Sequence, residues 1–210
     1  MTKMNKDKLL KNLLSNVEQL NFSRIKDLDF VRKDKQLRYF DDKEISIMII
    51  EYFLEQNKAS IQKQSIKVKK INRITLKIHS LLSHQLHQDL KYKDFFKKVF
   101  MFLSLEKNFP TILDYFFSMS SNMWSVAGDT STDINYYSKR VILCTVYSKI
   151  FIKLITVHNY DASMIEEDIH NELNKVKKFN ELKSKILSPD ILSVFKKFSP
   201  SSNKKEGRGF

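Results

Sequence analysis

The sequence predicts an all-α fold. Three glycines and three prolines in 210 residues are too few for a sheet-rich or turn-rich architecture. Apolar residues recur at helical spacing through most of the chain. At 42% hydrophobic, with 16 phenylalanines, the chain can bury a sizeable core, and its length suits one domain with appendages.

Leu9, Leu10, Leu13, Leu14, Val17 and Leu20 predict a first amphipathic helix near residues 5–20. Phe22 to Lys35 reads as a shorter, weaker helix. Asp41 and Asp42 precede a strong run through Ile45, Ile49, Tyr52 and Phe53, and an acidic residue favours a helix start. A further helix is expected from Ile66 to Leu86, and a Phe-dense one from Asp94 to Leu105. Pro110 fits the first turn of the next helix, which Gly128 ends. Thr130 and Asp133 have capping-box spacing, with Asp in place of Glu. From there a long helix runs to about Val157, with a core stripe of Ile134, Tyr137, Val141, Cys144, Phe151 and Ile155. A last long helix spans about 163–187.

Residues 1–187 therefore read as the main domain. Ser188-Pro189-Asp190 starts a small amphipathic helix at 188–198. Its apolar face is Ile191, Leu192, Val194, Phe195 and Phe198, with Lys196 and Lys197 opposite. Such a short helix is marginal alone and needs a surface, which is the protein's own core, a partner or a membrane, and the membrane is the one predicted. Residues 199–210 read as a disordered basic tail.

The net charge of +13 is unevenly placed. Residues 1–100 carry net +10, residues 101–174 net −4 and residues 175–210 net +7. Basic ends of this kind suit nucleic acid, an anionic membrane or plain solvent. No apolar stretch reaches the ~18 residues of a membrane span, and Met1 to Lys11 lacks a signal-peptide apolar run. A soluble or peripheral protein is expected. The single Cys144 reads as a buried free thiol in a reducing compartment.

Chemical motifs are sparse. Glu167-x-x-His170 has the spacing of half a di-iron site but no second copy. His79, His84 and His87 lack acidic or thiol partners nearby in sequence. Phosphate loops, nucleophile elbows and Cys-x-x-Cys pairs are missing. No catalytic residue and no metal site are expected.

Residues 123–140 break the style of the chain. They hold its only Trp, one of its three Gly, and hydroxyls, Asp, Tyr and Arg around one helix start. A capped helix junction explains one or two of these side chains. It does not explain Trp124, Tyr136 and Arg140. An Arg on a largely apolar helix is costly unless paired. Asp133 is two turns away, so Arg140 is expected to meet an anionic head group or an Asp elsewhere in the fold.

This run resembles the signature of the ubiquinone-biosynthesis accessory lipid-binding proteins of the COQ-nine family. That signature reads Met-Trp, two variable residues, Ala-Gly-Asp-Thr-Ser-Thr-Asp-Phe-Asn-Trp-Tyr-Thr, a basic residue and Arg. Met123, Trp124, Ala127 to Asp133, Asn135, Tyr137, Lys139 and Arg140 match it. Ile134, Tyr136 and Ser138 replace Phe, Trp and Thr. Weaker similarity extends over Leu37–Phe40, Ile71–Ile74 and Lys177–Glu181.

The resemblance implies a TetR-like helical fold with a C-terminal amphipathic helix. It implies a non-catalytic protein, without a cofactor beyond a bound lipid or quinone intermediate. An isoprenoid quinone precursor or phospholipid would be held by Arg140, Tyr137, Phe116, Phe117 and Phe96, with Phe95 and Phe100 as further lining. It would be presented to the di-iron demethoxyubiquinone hydroxylase, which Met123, Trp124, Asp133, Tyr136 and Tyr137 would contact. A homodimer is implied, peripheral on a bacterial inner membrane or on the mitochondrial matrix face. The alternative is a TetR-like transcription regulator. Phe22–Lys35 argues against it, because it lacks a Gly-containing turn before a compact recognition helix.

Overall fold

In a computed structural model, residues 3–35, 37–105 and 108–186 are described, and they form helices without a strand among them. Nine α-helices follow one another among the described residues. They are α1 (Lys3–Ser15), α2 (Asp29–Arg32), α3 (Asp42–Lys63), α4 (Ser65–Lys69), α5 (Ile74–Lys91), α6 (Lys93–Leu105), α7 (Phe109–Ala127), α8 (Asp133–Thr156) and α9 (Ala162–Ile186). Short three-ten turns link α1, α2 and α3. The chain divides into two units, residues 1–171 and 172–210. The predicted tail helix at 188–198 and the basic tail lie outside the described residues.

Local chemistry sets most helix ends. Asp41 caps α3 through a full capping box, its carboxylate accepting from the Glu44 amide while Glu44 accepts from the Asp41 amide. Pro110 sits in the first turn of α7, where its missing N–H costs nothing. Gly128 ends α7 at φ 88°, the left-handed conformation that glycine adopts without penalty. The expected Thr130–Asp133 capping box does not form. Asp133 is the first residue of α8, and the N-cap is Thr132, whose side chain makes no capping bond.

The helix expected over Ile66–Leu86 is two helices. The backbone leaves α4 after Lys69 and re-enters α5 at Ile74 through an extended Arg73. No Gly or Pro marks that break in the sequence. The first expected helix likewise ends early, at Ser15.

The core is aromatic. Phe96 sits 5.0 Å from Phe53 and 5.3 Å from Phe151, and Phe116 lies 5.0 Å from Tyr147. Phe100 lies 5.0 Å from Phe151 with the rings tilted by 44°. Such pairs contribute about 0.5–1.5 kcal/mol each beyond buried area. They knit α3, α6, α7 and α8 together. Phe95, Phe96, Phe100 and Phe116 are thus packed ring on ring as core, while Phe117 is half-buried.

The stripe expected to be buried on α8 is buried at Phe151 and Ile155 but corrected in its first half. Ile134 is 79% exposed and Tyr137 63%, with Val141 exposed too. Leu143, Val146, Tyr147, Ile150 and Leu154 enter the core together with Phe151. Cys144 is only half-buried, and burial raises its thiol pKa.

Candidate functional site

The signature run folds into a tight junction between α7 and α8. Gly128 turns the chain, and Asp129 follows with its side chain 4% exposed. Asp129 accepts from Lys139 Nζ at 2.8 Å on one oxygen. Its other oxygen accepts from Ser131 Oγ at 2.7 Å and Arg140 Nη1 at 3.2 Å. Burial alone would raise the pKa of this carboxyl. The donors Lys139, Ser131 and Arg140 outweigh burial and hold it well below the usual carboxylate range.

Arg140 is as buried as its partner. Its Nε donates to Ser121 Oγ on α7 at 3.2 Å, and its Nη1 also donates to the Tyr136 carbonyl at 2.9 Å. The guanidinium lies 3.3 Å from the centre of the Tyr136 ring. Trp124 closes the other side, its indole N–H donating to the Lys139 carbonyl at 3.0 Å, with Lys139 Nζ above its ring. Lys77 on α5 donates to the Ala127 carbonyl at 3.3 Å and ties the junction to α5.

The junction thus answers the question posed by Arg140. Its anion is Asp129, eleven residues earlier, brought close by the reversal at Gly128. The only sequence signal for that pairing was a helix-ending Gly followed by an acid. Because the guanidinium is taken by Asp129, Ser121 and Tyr136, direct lipid contact by Arg140 requires an approach through this network. Met123 is fully buried, so it does not belong to an exposed partner surface. Trp124 and Tyr136 are half-buried, and Tyr137 stands out, its ring 5.1 Å from that of Tyr136. Asp133 opens α8. Among the outward side chains beside the junction, Ile134, Tyr137 and Val141 form an apolar stripe at helical spacing.

A second polar cluster lies in the core. Tyr147 donates to Asp89 at 2.6 Å and Gln85 donates to its other oxygen at 2.8 Å. Asn57 donates to the Tyr115 hydroxyl at 2.8 Å. Burial pushes the Asp89 carboxyl up to about 7, despite the Tyr147 and Gln85 donors. Burial also raises Tyr147 and Tyr115. Gln85 Oε1 is buried without a hydrogen-bond partner.

Glu166 on α9 faces α5, accepting from Ser83 and lying 3.8 Å from His79 Nε2 and 3.6 Å from His87 Nδ1. Sequence spacing gave these histidines no acidic neighbour; the fold supplies one. Glu167 and His170 are exposed. No cluster of three metal-ligating side chains occurs among the described residues. No helix among them is long and apolar enough to cross a membrane.

The fold and the junction define an all-helical protein built around a buried Asp–Arg pair at a helix reversal. Residues 109–180, which contain that junction, match the family model COQ9, as the resemblance led us to expect. Over this region the chain is similar to the COQ9 family. It is 29% identical over 97 residues to the mitochondrial ubiquinone biosynthesis protein COQ9 of Bos taurus. That alignment covers 46% of this chain and 30% of the bovine protein. The Homo sapiens counterpart is 27% identical over 95 residues, covering 45% of this chain and 29% of the human protein. COQ9-B of Xenopus laevis, also a mitochondrial ubiquinone biosynthesis protein, is 31% identical over 64 residues, 30% of this chain and 22% of its own length. The match therefore spans under a third of the curated relatives' length.

Proposed function

We propose that this chain is a non-catalytic, lipid-binding accessory protein of ubiquinone biosynthesis. It holds an isoprenoid quinone precursor in its apolar interior and presents it at a membrane to the di-iron demethoxyubiquinone hydroxylase. One observation carries the reading. The signature run turns Asp129 and Arg140 inward as a buried pair and leaves Ile134 and Tyr137 exposed on the outward side of α8. Exposed aromatic and apolar side chains on a rigid element are what a partner surface requires.

Each residue has a physical task in this account. Asp129, Ser121 and Arg140 fix the junction. Tyr136 braces Arg140 and orients Tyr137, and Trp124 anchors Lys139. Phe96, Phe116 and Phe117 on α6 and α7 would part to admit an isoprenoid chain, exchanging ring–ring contact for ring–lipid contact. TetR-like architecture, homodimer formation and peripheral attachment through the 188–198 segment belong to the same proposal.

Mass spectrometry of organic extracts tests it, on full chain purified without detergent. A stoichiometric quinone-like or phospholipid species is expected. Lipid-free extracts from folded protein contradict the lipid-binding part.

A further inference from the structure

A strongly basic surface among the described residues is far from the tail in sequence. Between Glu55 and Asp89 there is no acidic residue, yet Lys58, Lys63, Lys67, Lys69, Lys70, Arg73 and Lys77 all fall there. The end of α3, all of α4 and the start of α5 carry them. Lys63, Lys67, Lys69, Lys70 and Arg73 are exposed, and none has an ion-pair partner among the described residues.

Large aliphatic side chains stand among these cations. Ile66 is 72% exposed and Leu76 53%, with Ile74 exposed between them. This is not loose chain. Val68 is buried and pins α4 on α3, α5 and α7, while buried Ile78 pins the first turns of α5. The exposed residues are therefore held out by a fixed frame. Lys77, at the edge of the patch, donates to the Ala127 carbonyl, so the patch adjoins the signature junction.

We propose that the α4–α5 turn is a membrane contact, with Ile66, Ile74 and Leu76 entering the interface of an anionic bilayer and the surrounding lysines and Arg73 binding lipid phosphates. The chemistry selects this occupant. Unpaired cations fit any polyanion, but exposed aliphatics set among them match an interface where acyl chains lie directly beneath a layer of phosphates. Duplex nucleic acid would leave Ile66 and Leu76 in water, and it has no apolar surface to offer them along its phosphate backbone. The contact is independent of the 188–198 segment and gives the proposed peripheral attachment a second point. It would turn the α7–α8 junction toward the lipid surface through Lys77 and Ala127.

Vesicle flotation of the full chain is the test, on phosphatidylcholine vesicles with and without phosphatidylglycerol. Three variants are compared: Lys67→Glu/Lys70→Glu, Ile66→Ser/Leu76→Ser, and Ile191→Ser/Phe195→Ser in the tail. Each altered patch residue is exposed, and circular dichroism verifies folding. If one patch variant fails to fold, Lys63→Glu/Lys69→Glu carries the same test.

Charge reversal is expected to weaken binding to anionic vesicles by about tenfold or more, with neutral vesicles little affected. The serine variant is expected to weaken it severalfold, and the tail variant to keep a salt-sensitive residual binding. Wild-type flotation by both patch variants overturns the proposal. So does unchanged flotation combined with lost binding to duplex DNA, which would assign the patch to nucleic acid. Lipid content and hydroxylase binding are separate readouts, so failure here leaves the proposed function standing.

Discussion

Asp129 and Arg140 pair at 3.2 Å across the Gly128 reversal, with each side chain only 4% exposed. Two charges this deep are stable only because each has further partners: Lys139 and Ser131 on the carboxylate, Ser121 and the Tyr136 carbonyl on the guanidinium. Removing one member strands the other. Arg140→Ala and Asp129→Ala are each expected to cost about 3–5 kcal/mol by urea unfolding. The double variant should cost clearly less than the two added together, because it leaves no orphan charge. Strict additivity would mean that the pair is not coupled.

Gly128 has φ 88°, and a Cβ placed there would meet nothing within 4 Å. Any penalty at this site is therefore conformational, not steric crowding by neighbours. Gly128→Ala is expected to cost about 1–2 kcal/mol, and Gly128→Asn less, since Asn tolerates this region better. Differential scanning calorimetry checks both. Equal stability of Gly128→Ala and the native chain would contradict the left-handed turn.

Asp89 makes stability depend on pH in an unusual direction. Its native carboxyl titrates at about 7 and its unfolded reference at 3.8. Between those values the native state holds a proton that the unfolded chain has released. The associated stability is fully present below about pH 4 and is lost as pH rises to about 7, by at most about 4 kcal/mol. Tyr147, Tyr115 and Gln85 are the groups that shape this site. Asp89→Asn keeps the shape and removes the charge. It should be more stable than the native chain at pH 8, with the advantage shrinking toward pH 5. Parallel stability profiles for the two proteins would contradict it.

Helix ends were the most legible part of the fold. Asp41, Pro110 and Gly128 each carry a chemical reason to start or stop a helix, and each does so. The face of α8 was not legible, because that helix is apolar on most sides and periodicity then selects no stripe. Ile134, Tyr137 and Val141 looked like core and are exposed. The α4–α5 break was invisible because Lys70, Ile71, Asn72 and Arg73 contain no breaker residue. In the site, the sequence posed Arg140 as needing an anion but could not name Asp129, since that pairing depends on the chain reversal at Gly128. Met123 sat in the signature yet faces inward, which motif matching alone does not distinguish.

The outward stripe can be separated from the buried pair by mutation. Tyr136 lies against the Arg140 guanidinium, so Tyr136→Ala is expected to lower stability by about 1–2 kcal/mol. Tyr137→Ala and Ile134→Ser touch exposed side chains and should stay within about 0.5 kcal/mol of the native chain. Chemical unfolding of the three variants shows whether the stripe is free of structural duty. A large loss in Tyr137→Ala would make it a structural residue.

The central claim is that the stripe beside the Asp129–Arg140 pair docks the hydroxylase. The direct measurement is the dissociation constant of the full chain for purified demethoxyubiquinone hydroxylase, for the native protein and for Tyr137→Ala. Loss of a hot-spot aromatic is worth about 2 kcal/mol or more, so about thirtyfold weaker binding is expected, with unchanged thermal stability. Equal affinity of the two proteins, or no binding by the native chain, would contradict the account.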